Sequence, residues 1–587
     1  MVNGKIKAPR LWTVLPDNTS RAEVLAKSSE ISSLLASLLL NRSIDTPAKV
    51  QDFLYPNINN LHDAFLMKDM RKAVNRIKQA IEKKENILVW GDYDVDGTSS
   101  TSLLVKFIRL LDGNCSYHIP SRIGEGYGLN KVIVEEYKNN GIALIITVDT
   151  GVGSIDEIQY AQDIGIDVII TDHHVAGDEL PNAYCIVNPK QIDCPYPHDY
   201  LAGVGVAFKL IWALAETINP EKRKSEEFLE FFDNALGLVA IATIVDVVPM
   251  LDENRIFVKF GLMTLNKTTN PGLRALLEIC NIDQAEIDPT HIGFRLGPRM
   301  NAGGRLGKEE LGVQLLLSDS YSDALKIVEV METENKHRQE IEKIIVKDAM
   351  KRVETEVDLE ESAIIVLASR EWHAGVIGIV ATRLTEEFWR PTILISIDGD
   401  TGRGSARSIP EFNVYEGLKK CDDLLITFGG HNYAAGLEIM VSNIDTLRRR
   451  INTLAWQSLN TEKLHPKLFI ERVVTLYELT LSNVREIEKL EPFGEGNRPP
   501  IFISESVTVI GKPKIIGRDE NHITFYVKDS TDPAPRGIRA IAFNSMHIYE
   551  QLINKNNEFK IAYSPRVNTY YGDPLVELVI KDFHFQN

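Results

Sequence analysis

The sequence NILVWGDYDVDG, residues 86–97, joins a short apolar run to three aspartates at alternate positions. The run NILVW predicts a buried β-strand, and two similar runs follow it, ALIITV (143–148) and DVIIT (167–171). Helical stretches of roughly 20 to 50 residues separate these runs, and continuous apolar strands that alternate with helices are typical of a parallel sheet covered on both faces. The sequence therefore predicts an α/β fold.

Three carboxylates, those of Asp92, Asp94 and Asp96, follow the first of these strands. In an extended segment, side chains two residues apart face the same way. Like charges at this spacing repel one another unless a cation neutralises them. An acidic surface turn is the simpler alternative. A calcium loop is a weaker one, because Leu103 stands where such a loop would carry its glutamate.

The other two strands also end in polar side chains. Asp149 follows ALIITV, and Asp172, His173 and His174 follow DVIIT. In a parallel α/β sheet, ligands bind beyond the carboxyl ends of the strands. Asp246 lies in the apolar run VAIATIVDVVPM, where a carboxylate is costly unless it is paired or binds metal. Each of these residues alone could be a helix cap or a satisfied core polar group.

Taken together, carboxylate oxygens with one or two imidazoles favour Mn²⁺ or Mg²⁺ over a metal that prefers thiolates. There are enough acidic residues for two ions, and sites with two ions typically hydrolyse phosphoesters.

The rest of the chain divides into regions of different pattern. Residues 1–80 predict short helices, and the apolar run at 236–249 predicts a buried helix or a helix–strand boundary. Residues 320–356 contain no glycine or proline and predict one long helix that joins two lobes. A second α/β pattern follows at 362–397, including a helix from about 374 to 388. Short alternating segments from 467 onward predict a small antiparallel barrel.

Composition sets further limits on the class of protein. The 587 residues are 44% hydrophobic and 25% charged, as in a soluble globular protein. A net charge of −17 argues against a generally basic protein that coats nucleic acid, although it allows a local basic channel. Five scattered cysteines and the lack of an apolar leader predict a protein of the reducing cytoplasm.

The motifs resemble those of a known superfamily. GDYDVDG, the Asp149 segment, TDHH at 171–174 and the Asp246 segment follow, in order, the motifs of the DHH phosphoesterase superfamily. Six further segments are similar to those of the RecJ family of bacterial single-stranded-DNA exonucleases: IPSRIGEGYGL (119–129), GPRMNAGGRL (297–306), EWHAGVIGIVATRL (371–384), GRGSARS (402–408), GGHNYAAG (429–436) and EPFGEGNRPP (491–500).

The resemblance implies two α/β lobes, a DHH domain and a DHH-associated domain, joined by a long helix and followed by an OB-type β-barrel. The implied parts are an N-terminal helical extension at 1–80, the DHH domain at 81–319, the connecting helix at 320–356, the DHH-associated domain at 357–460 and the OB-fold domain at 461–587. The metal site is then expected to lie wholly before the barrel.

The resemblance also implies a function. The expected activity is 5′→3′ exonucleolytic degradation of single-stranded DNA to 5′-mononucleotides in recombination and repair, by hydrolysis that uses two Mn²⁺ or Mg²⁺ ions. The expected partners are a helicase and a single-strand-binding protein, with no membrane and a monomeric state. Two alternatives remain: a DHH-family oligoribonuclease or cyclic-dinucleotide phosphodiesterase, and an inactive DHH scaffold that binds DNA.

Site residues follow by similarity. The implied metal ligands are Asp94, Asp96, Asp149, His173 and Asp246, with Asp149 the candidate to bridge two ions. Asp92, Asp172 and His174 are expected to support the ligands or to face the substrate. For His174, a hydrogen-bonded core histidine and a direct metal ligand are equally good explanations.

A second set of residues is implied to bind the substrate. The candidates for the pocket that holds the 5′-phosphate are Arg122, Tyr127, Arg305, Ser405 and Arg407. His431 is expected to contact the scissile phosphate or to orient a metal ligand. Two or three of the barrel aromatics are expected to be exposed platforms for bases, chosen from Phe502, Phe525, Tyr526, Phe543, Tyr563, Tyr570 and Tyr571.

Overall fold

The structure, a computed structural model, describes residues 10–121, 128–177, 179–284, 287–517, 519–531, 537–553, 558–570 and 572–585. Its described residues form two compact units. The first unit consists of Pro56–Lys343 together with Pro492–Asn497. The second unit consists of the described residues of Met1–Tyr55, Ile344–Glu491 and Arg498–Asn587.

The N-terminal segment begins with a strand, which the sequence pattern did not predict. Its elements are β1 (Leu11–Val14), α1 (Thr19–Ser29), α2 (Ser33–Asn41) and α3 (Pro47–Leu54). Strand β1 pairs in parallel with residues Lys467–Ile470, and the Trp12 indole donates to Asp582 at 2.8 Å. The prediction of helices alone was wrong here because the partner of this short strand lies far away in sequence.

The first unit contains a five-stranded parallel sheet with strand order β3-β2-β4-β5-β6. Its elements, up to the helix that leaves it, are α4 (Met70–Glu82), β2 (Asn86–Trp90), α5 (Val95–Leu110), β3 (Asn114–His118), α6 (Lys131–Asn139), β4 (Ile142–Val148), α7 (Ile155–Asp163), β5 (Asp167–Thr171), β6 (Cys185–Val187), α8 (Gly203–Glu216), α9 (Pro220–Arg223), α10 (Glu226–Val245), α11 (Asp252–Leu265), α12 (Pro271–Ile279), α13 (Pro289–His291), α14 (Gly297–Arg305), α15 (Leu311–Leu317) and α16 (Tyr321–Glu356). A π-helical turn, Ile292–Leu296, precedes α14.

The strands are buried on both faces, as predicted. Along β2, Ile87 and Val89 pack into one hydrophobic cluster, whereas Leu88 and Trp90 pack into another. Strands β2, β4 and β5 are neighbours, so the three aspartate-bearing ends lie side by side. The prediction of a parallel α/β sheet is confirmed.

Helix α10 explains the long apolar run at 236–249. By length and composition it could cross a membrane, but half of its most apolar window is buried. Residues such as Val239 and Ile241 are fully buried in the main cluster of the first unit. Its apolar character is therefore explained by its place in the core.

Helix α16 confirms the predicted long connecting helix. It has 36 residues and begins one residue after the predicted start. Residues up to Lys343 belong to the first unit, and those from Ile344 onward belong to the second.

The second unit contains a five-stranded sheet with strand order β10-β11-β9-β8-β7. Strands β7 and β8 are parallel, and the other pairings are antiparallel. The predicted helix from about 374 begins later, at Ile377. The elements are β7 (Ile365–Ser369), α17 (Ile377–Phe388), β8 (Thr392–Asp398), β9 (Thr401–Arg407), α18 (Val414–Lys419), β10 (Leu425–Gly430), β11 (Ala434–Met440) and α19 (Ile444–Ser458).

The C-terminal region forms a closed five-stranded barrel, in the order β14-β15-β16-β18-β17 and back to β14. Its region comprises β12 (Lys467–Ile470), β13 (Arg472–Val473), α20 (Leu481–Glu488), β14 (Phe502–Ile516), β15 (His522–Asp529), β16 (Ile538–Ala542), α21 (Tyr549–Ile553), β17 (Phe559–Asn568) and β18 (Leu575–Phe585). The predicted barrel is confirmed, and four of its five strand pairings are antiparallel as predicted. The exception is the parallel pair β16 and β18, between which α21 and β17 intervene in the chain.

Candidate metal centre

The acidic segment after β2 consists of a short loop followed by the first turn of α5. The Oδ1 atom of Asp94 accepts a hydrogen bond from the Gly97 N–H at 3.0 Å, so Asp94 caps α5, which begins at Val95. Asp96 therefore lies in the first helical turn, and the prediction of one extended segment was wrong for it, because a short polar cap starts the helix early. A Cβ on Gly97 would come within 2.5 Å of the Asp92 carbonyl oxygen.

Asp96 is held by the beginning of another helix. Its two carboxylate oxygens accept hydrogen bonds from the N–H groups of Gly203 at 2.6 Å and Val204 at 2.7 Å, at the N-terminus of α8. Helix N-termini favour negative charge. A Cβ on Gly203 would come within 2.7 Å of the Asp149 Cβ atom. Glycine at this position lets α8 approach both carboxylates, a role that the sequence analysis missed although LAGVGVAF is glycine-rich.

Asp149 and Asp172 stand at the ends of β4 and β5 in different roles. Asp149 has a backbone φ of +60°, the left-handed region, and its N–H donates to the Thr171 carbonyl. The Asp172 carboxylate accepts from the Val152 N–H at 2.9 Å and from the N–H groups of His173 and His174 at 2.7 and 3.1 Å. Such contacts would let Asp172 orient the two histidines, which is one of the two roles that the resemblance implies for it.

His173 presents a nitrogen lone pair to three carboxylates. Its Nδ1 atom donates to the Leu201 carbonyl oxygen at 3.0 Å, because a carbonyl can only accept, so Nε2 carries no proton in the neutral ring. Within the described part of the chain, the buried Nε2 atom has no hydrogen-bond partner. It lies 3.1 Å from Asp149 Oδ1, 3.7 Å from Asp246 Oδ2 and 3.8 Å from Asp96 Oδ2.

The pKa values agree with a neutral His173. Burial, and then the charge of His174, lowers the pKa of His173 to about 3. A neutral imidazole lone pair that faces carboxylate oxygens is unfavourable unless a cation lies between them. The residues therefore fit a divalent ion held by nitrogen and oxygen ligands.

The ionised carboxylates of this cluster are also unfavourable unless a positive charge lies nearby. Burial raises the pKa of Asp149 and Asp246 well above the ordinary value, and the neighbouring aspartates raise both further. Burial and the charge of Asp94 raise the pKa of Asp96 to about 7. Lys190, which the sequence analysis did not select, lowers the pKa of Asp246 by its charge. A bound cation would stabilise the ionised carboxylates in the same way.

Three groups of side chains in the described part of the chain could each hold an ion. In each group the ligand atoms lie within 4.8 Å of one another: Asp149 with His173 and His174, Asp96 with His173 and Asp246, and Asp92 with Asp94 and Asp149. Asp149 and His173 each belong to two of these groups. Overlapping groups of this kind suit two neighbouring ions.

His174 lies beside the cluster with one nitrogen already engaged. Its Nδ1 atom is 2.8 Å from Asp172 Oδ1 and 4.0 Å from Asp149 Oδ1. Burial lowers the pKa of His174, but the hydrogen bond to Asp172 and the charges of the neighbouring aspartates together outweigh this, so its pKa is raised overall. The Asp172 carboxylate responds in the opposite sense: burial favours a higher pKa, and the bond and charge of His174 bring it down to about 2. These contacts favour a supporting His174, with Asp172 stabilising the charged form of its ring.

Helix α14 packs against the acidic loop and explains another motif. The Asn301 side chain accepts from the Val95 N–H at 3.0 Å, and a Cβ on Gly304 would come within 2.5 Å of the Tyr93 carbonyl oxygen. Arg305 ends this helix in the first unit. Asn301 was not predicted from the sequence, although it lies within GPRMNAGGRL. Arg299 in the same motif forms a salt bridge with Glu332 at 2.7 Å.

In the second unit, Ser405 and Arg407 lie two residues apart on β9 and touch each other. Arg407 Nη1 donates to Ser405 Oγ at 3.1 Å. Gly378, at the start of α17, abuts both: a Cβ there would come within 2.9 Å of Ser405 Oγ and 3.2 Å of Arg407 Nη2. The structure thus brings a guanidinium, a hydroxyl and a helix N-terminus together, a combination that suits a phosphate.

The remaining predicted site residues are His431, Arg122 and Tyr127. His431 is exposed in the turn between β10 and β11, where its N–H donates to the Ala434 carbonyl at 2.7 Å. Gly430, which has a φ of +140°, makes this turn possible. Arg122 and Tyr127 lie outside the described residues.

Family models match three parts of the chain. The N-terminal domain of the DHH family matches residues 86–243, the DHHA1 domain matches 361–457 and the RecJ OB domain matches 470–582.

Curated relatives and solved structures cover most of the chain. The single-stranded-DNA-specific exonuclease RecJ of Bacillus subtilis (strain 168) is 36% identical over 97% of this chain and 70% of its own length. That of Escherichia coli (strain K12) is 33% identical over 87% and 89%. The crystal structure of RecJ in complex with Mn²⁺ from Thermus thermophilus superimposes with a TM-score of 0.81 at 27% identity, covering 98% of this chain and 80% of that one. The corresponding complex with Mg²⁺ has a TM-score of 0.75 at 26% identity, with coverages of 98% and 78%.

Proposed function

The chain belongs to the RecJ family of single-stranded-DNA-specific exonucleases, and we propose that it removes 5′-mononucleotides from the 5′ end of single-stranded DNA in recombination and repair. The observation that carries this proposal is the lone pair of His173, which faces three carboxylates at the end of a parallel sheet.

The metal ligands in this proposal are the predicted ones. Mn²⁺ or Mg²⁺, the ions of the relatives' structures, supplies Lewis-acid polarisation of the phosphate and acidifies a water molecule. The side chains that hold the two ions are Asp94, Asp96, Asp149, His173 and Asp246. The N-terminus of α8 orients Asp96, and the Leu201 carbonyl fixes the tautomer of His173. Asp92 and Asp172 support the cluster, and His174 faces the phosphate.

Polarity comes from a pocket that binds the terminal 5′-phosphate. Ser405, Arg407 and the N-terminus of α17 provide its charge-assisted donors. Arg305, Arg122 and Tyr127 are further candidates for binding phosphate on the strength of the family resemblance. On the same basis, His431 is the candidate to contact the scissile phosphate.

The barrel adds affinity for longer strands through stacking. Phe502, Phe525 and Tyr563 are at most 2% exposed and form its core. Tyr526, Phe543 and Tyr570 are 51%, 46% and 87% exposed. Exposed aromatic rings on such a barrel suit sequence-tolerant binding of bases. Tyr571 lies outside the described residues.

The alternatives account for less of the chain. An oligoribonuclease or cyclic-dinucleotide phosphodiesterase of the DHH type does not account for the region that matches the RecJ OB domain. An inactive scaffold would have lost metal ligands, and all those predicted are present. In this proposal the protein acts as a cytoplasmic monomer, with a helicase and a single-strand-binding protein as partners.

Degradation of labelled DNA tests the proposal. A 5′-phosphorylated single strand of about 20 nucleotides, incubated with Mn²⁺, should yield mononucleotides from its 5′ end, whereas blunt duplex and dinucleotides should be poor substrates. Release from the 3′ end would refute the polarity, and preference for dinucleotides would favour the phosphodiesterase alternative.

A further inference from the structure

The chain turns sharply directly after the candidate ligand Asp246. Helix α10 ends at Val245, Asp246 caps it, and Val247 has a backbone φ of +60°. This conformation is unfavourable for a β-branched residue and persists only where the surroundings hold it. The Val247 side chain is 63% exposed, so its own packing provides little support.

The following residues are held by a segment from the far end of the chain. The Met250 N–H donates to the Glu495 carbonyl oxygen at 2.7 Å, and Arg255 Nη1 donates to the Pro492 carbonyl oxygen at 3.3 Å. The fully buried Asn497 donates to the same Pro492 oxygen at 3.0 Å. These contacts make the loop Pro492–Asn497 part of the first unit.

Met250 connects this loop to α10. A Cβ on Gly494 would lie 3.0 Å from the Met250 Cε atom and 3.2 Å from its Cβ, so the loop fits closely over this side chain. On its other side, the buried Met250 packs with Ala240 and Ile244 of α10. Ile244 is two residues before Asp246.

We propose that the loop Pro492–Asn497 is a positioning element of the metal centre, because it presses Met250 against α10 and so fixes the Asp246 carboxylate. The inference rests on the proposed function, in which Asp246 binds metal. The sequence led us to expect that the metal site lies wholly before the barrel. A chain that ends near residue 460 would retain the ligands but would lack the loop that places one of them.

The test adds bulk to the loop within the full chain. Gly494→Leu should displace Met250, lower kcat on a short single strand about 10- to 100-fold and leave KM within about twofold. It should also weaken the Mn²⁺ affinity of the metal-free protein about tenfold, measured by calorimetry without DNA. In the double variant Gly494→Leu/Met250→Ala the new leucine takes the space that the Met250 side chain leaves against α10, so this variant should recover most of both losses. Glu491→Leu adds the same side chain at an exposed position just before the loop and should behave as the wild type.

The variant Asp246→Asn distinguishes a failure of the proposed ligand set from a failure of the positioning role alone. If Asp246→Asn keeps normal Mn²⁺ affinity and turnover, the proposed ligand set fails, and the positioning role fails with it. If Asp246→Asn loses both but Gly494→Leu retains both, only the positioning role is overturned. A lowered melting temperature with unchanged Mn²⁺ affinity, or a loss that Met250→Ala does not relieve, would show the loop to be merely structural.

Discussion

Gly203→Ala should damage catalysis through steric overlap alone, without removing any ligand. The new Cβ would lie 2.7 Å from the Asp149 Cβ atom and 2.8 Å from its Oδ1 atom. Restoring an ordinary contact of 3.4 Å requires α8 and Asp149 to separate by about 0.7 Å. Asp149 is held in the left-handed backbone region, so we expect α8 to move instead.

That movement would also release Asp96. Its hydrogen bonds to the N–H groups of Gly203 and Val204, now 2.6 and 2.7 Å long, would lengthen beyond the usual 3.2 Å limit. Because a misplacement of about 1 Å in an active site costs about 100-fold, we expect kcat to fall about 30- to 100-fold, or about 2–3 kcal/mol. The fall should be accompanied by a higher Mn²⁺ requirement.

The assay is Mn²⁺-dependent digestion of a 5′-labelled single strand, with kcat, KM and the melting temperature measured together. Gly293→Ala is the matched control, because it makes the same change in the helical turn Ile292–Leu296, where the added Cβ comes no nearer than 4.0 Å to Ile244. A Gly203→Ala enzyme with kcat within twofold of the wild type would refute the assigned roles of Asp96 and Asp149.

Three further changes test the metal site, the 5′-phosphate pocket and the barrel. Chelation should abolish cleavage and added Mn²⁺ should restore it, whereas Asp149→Ala should stay inactive at any Mn²⁺ concentration while still binding DNA; near-normal cleavage by this variant would contradict the ligand assignment. Arg407→Ala should reduce the advantage of 5′-phosphorylated over 5′-hydroxyl strands about 10- to 100-fold in kcat/KM, since a hydrogen bond to a charged group contributes about 1.5–3 kcal/mol; an equal loss on both substrates would place Arg407 elsewhere on the DNA path. Tyr526→Ala should weaken binding of long strands by about 1–3 kcal/mol in fluorescence anisotropy, with little effect on a trinucleotide; the buried Phe525→Ala should instead lower stability.

Much of the fold could be predicted because its signals are local. The strands NILVW, ALIITV and DVIIT are each buried on both faces, so each is a continuous apolar run in the sequence. The three strands also lie next to one another in the sheet in the same order as in the chain. The long helix α16 was equally visible from its composition. The prediction of a single-stranded-DNA exonuclease, which rested on motif order, is confirmed by the curated relatives.

The rest could not be predicted because it depends on contacts between distant residues. Nothing near LWTV shows that strand β1 has its partner at Lys467–Ile470. Alternating aspartates in DYDVDG suggested an extended segment, whereas the cap made by Asp94 starts a helix at Val95. The approach of Gly203 to Asp149 is visible only in three dimensions.

The dependence of the first unit on Pro492–Asn497 has a consequence for the time course of synthesis. When Lys343 has been added, the ribosome must still translate about 150 residues before Asn497 is made, which takes roughly 8–30 s at 5–20 residues per second. During that interval the nascent chain carries every candidate metal ligand but not the loop that we assign to placing Asp246. A nuclease built in this order would acquire full activity only after Asn497 has been added to the chain.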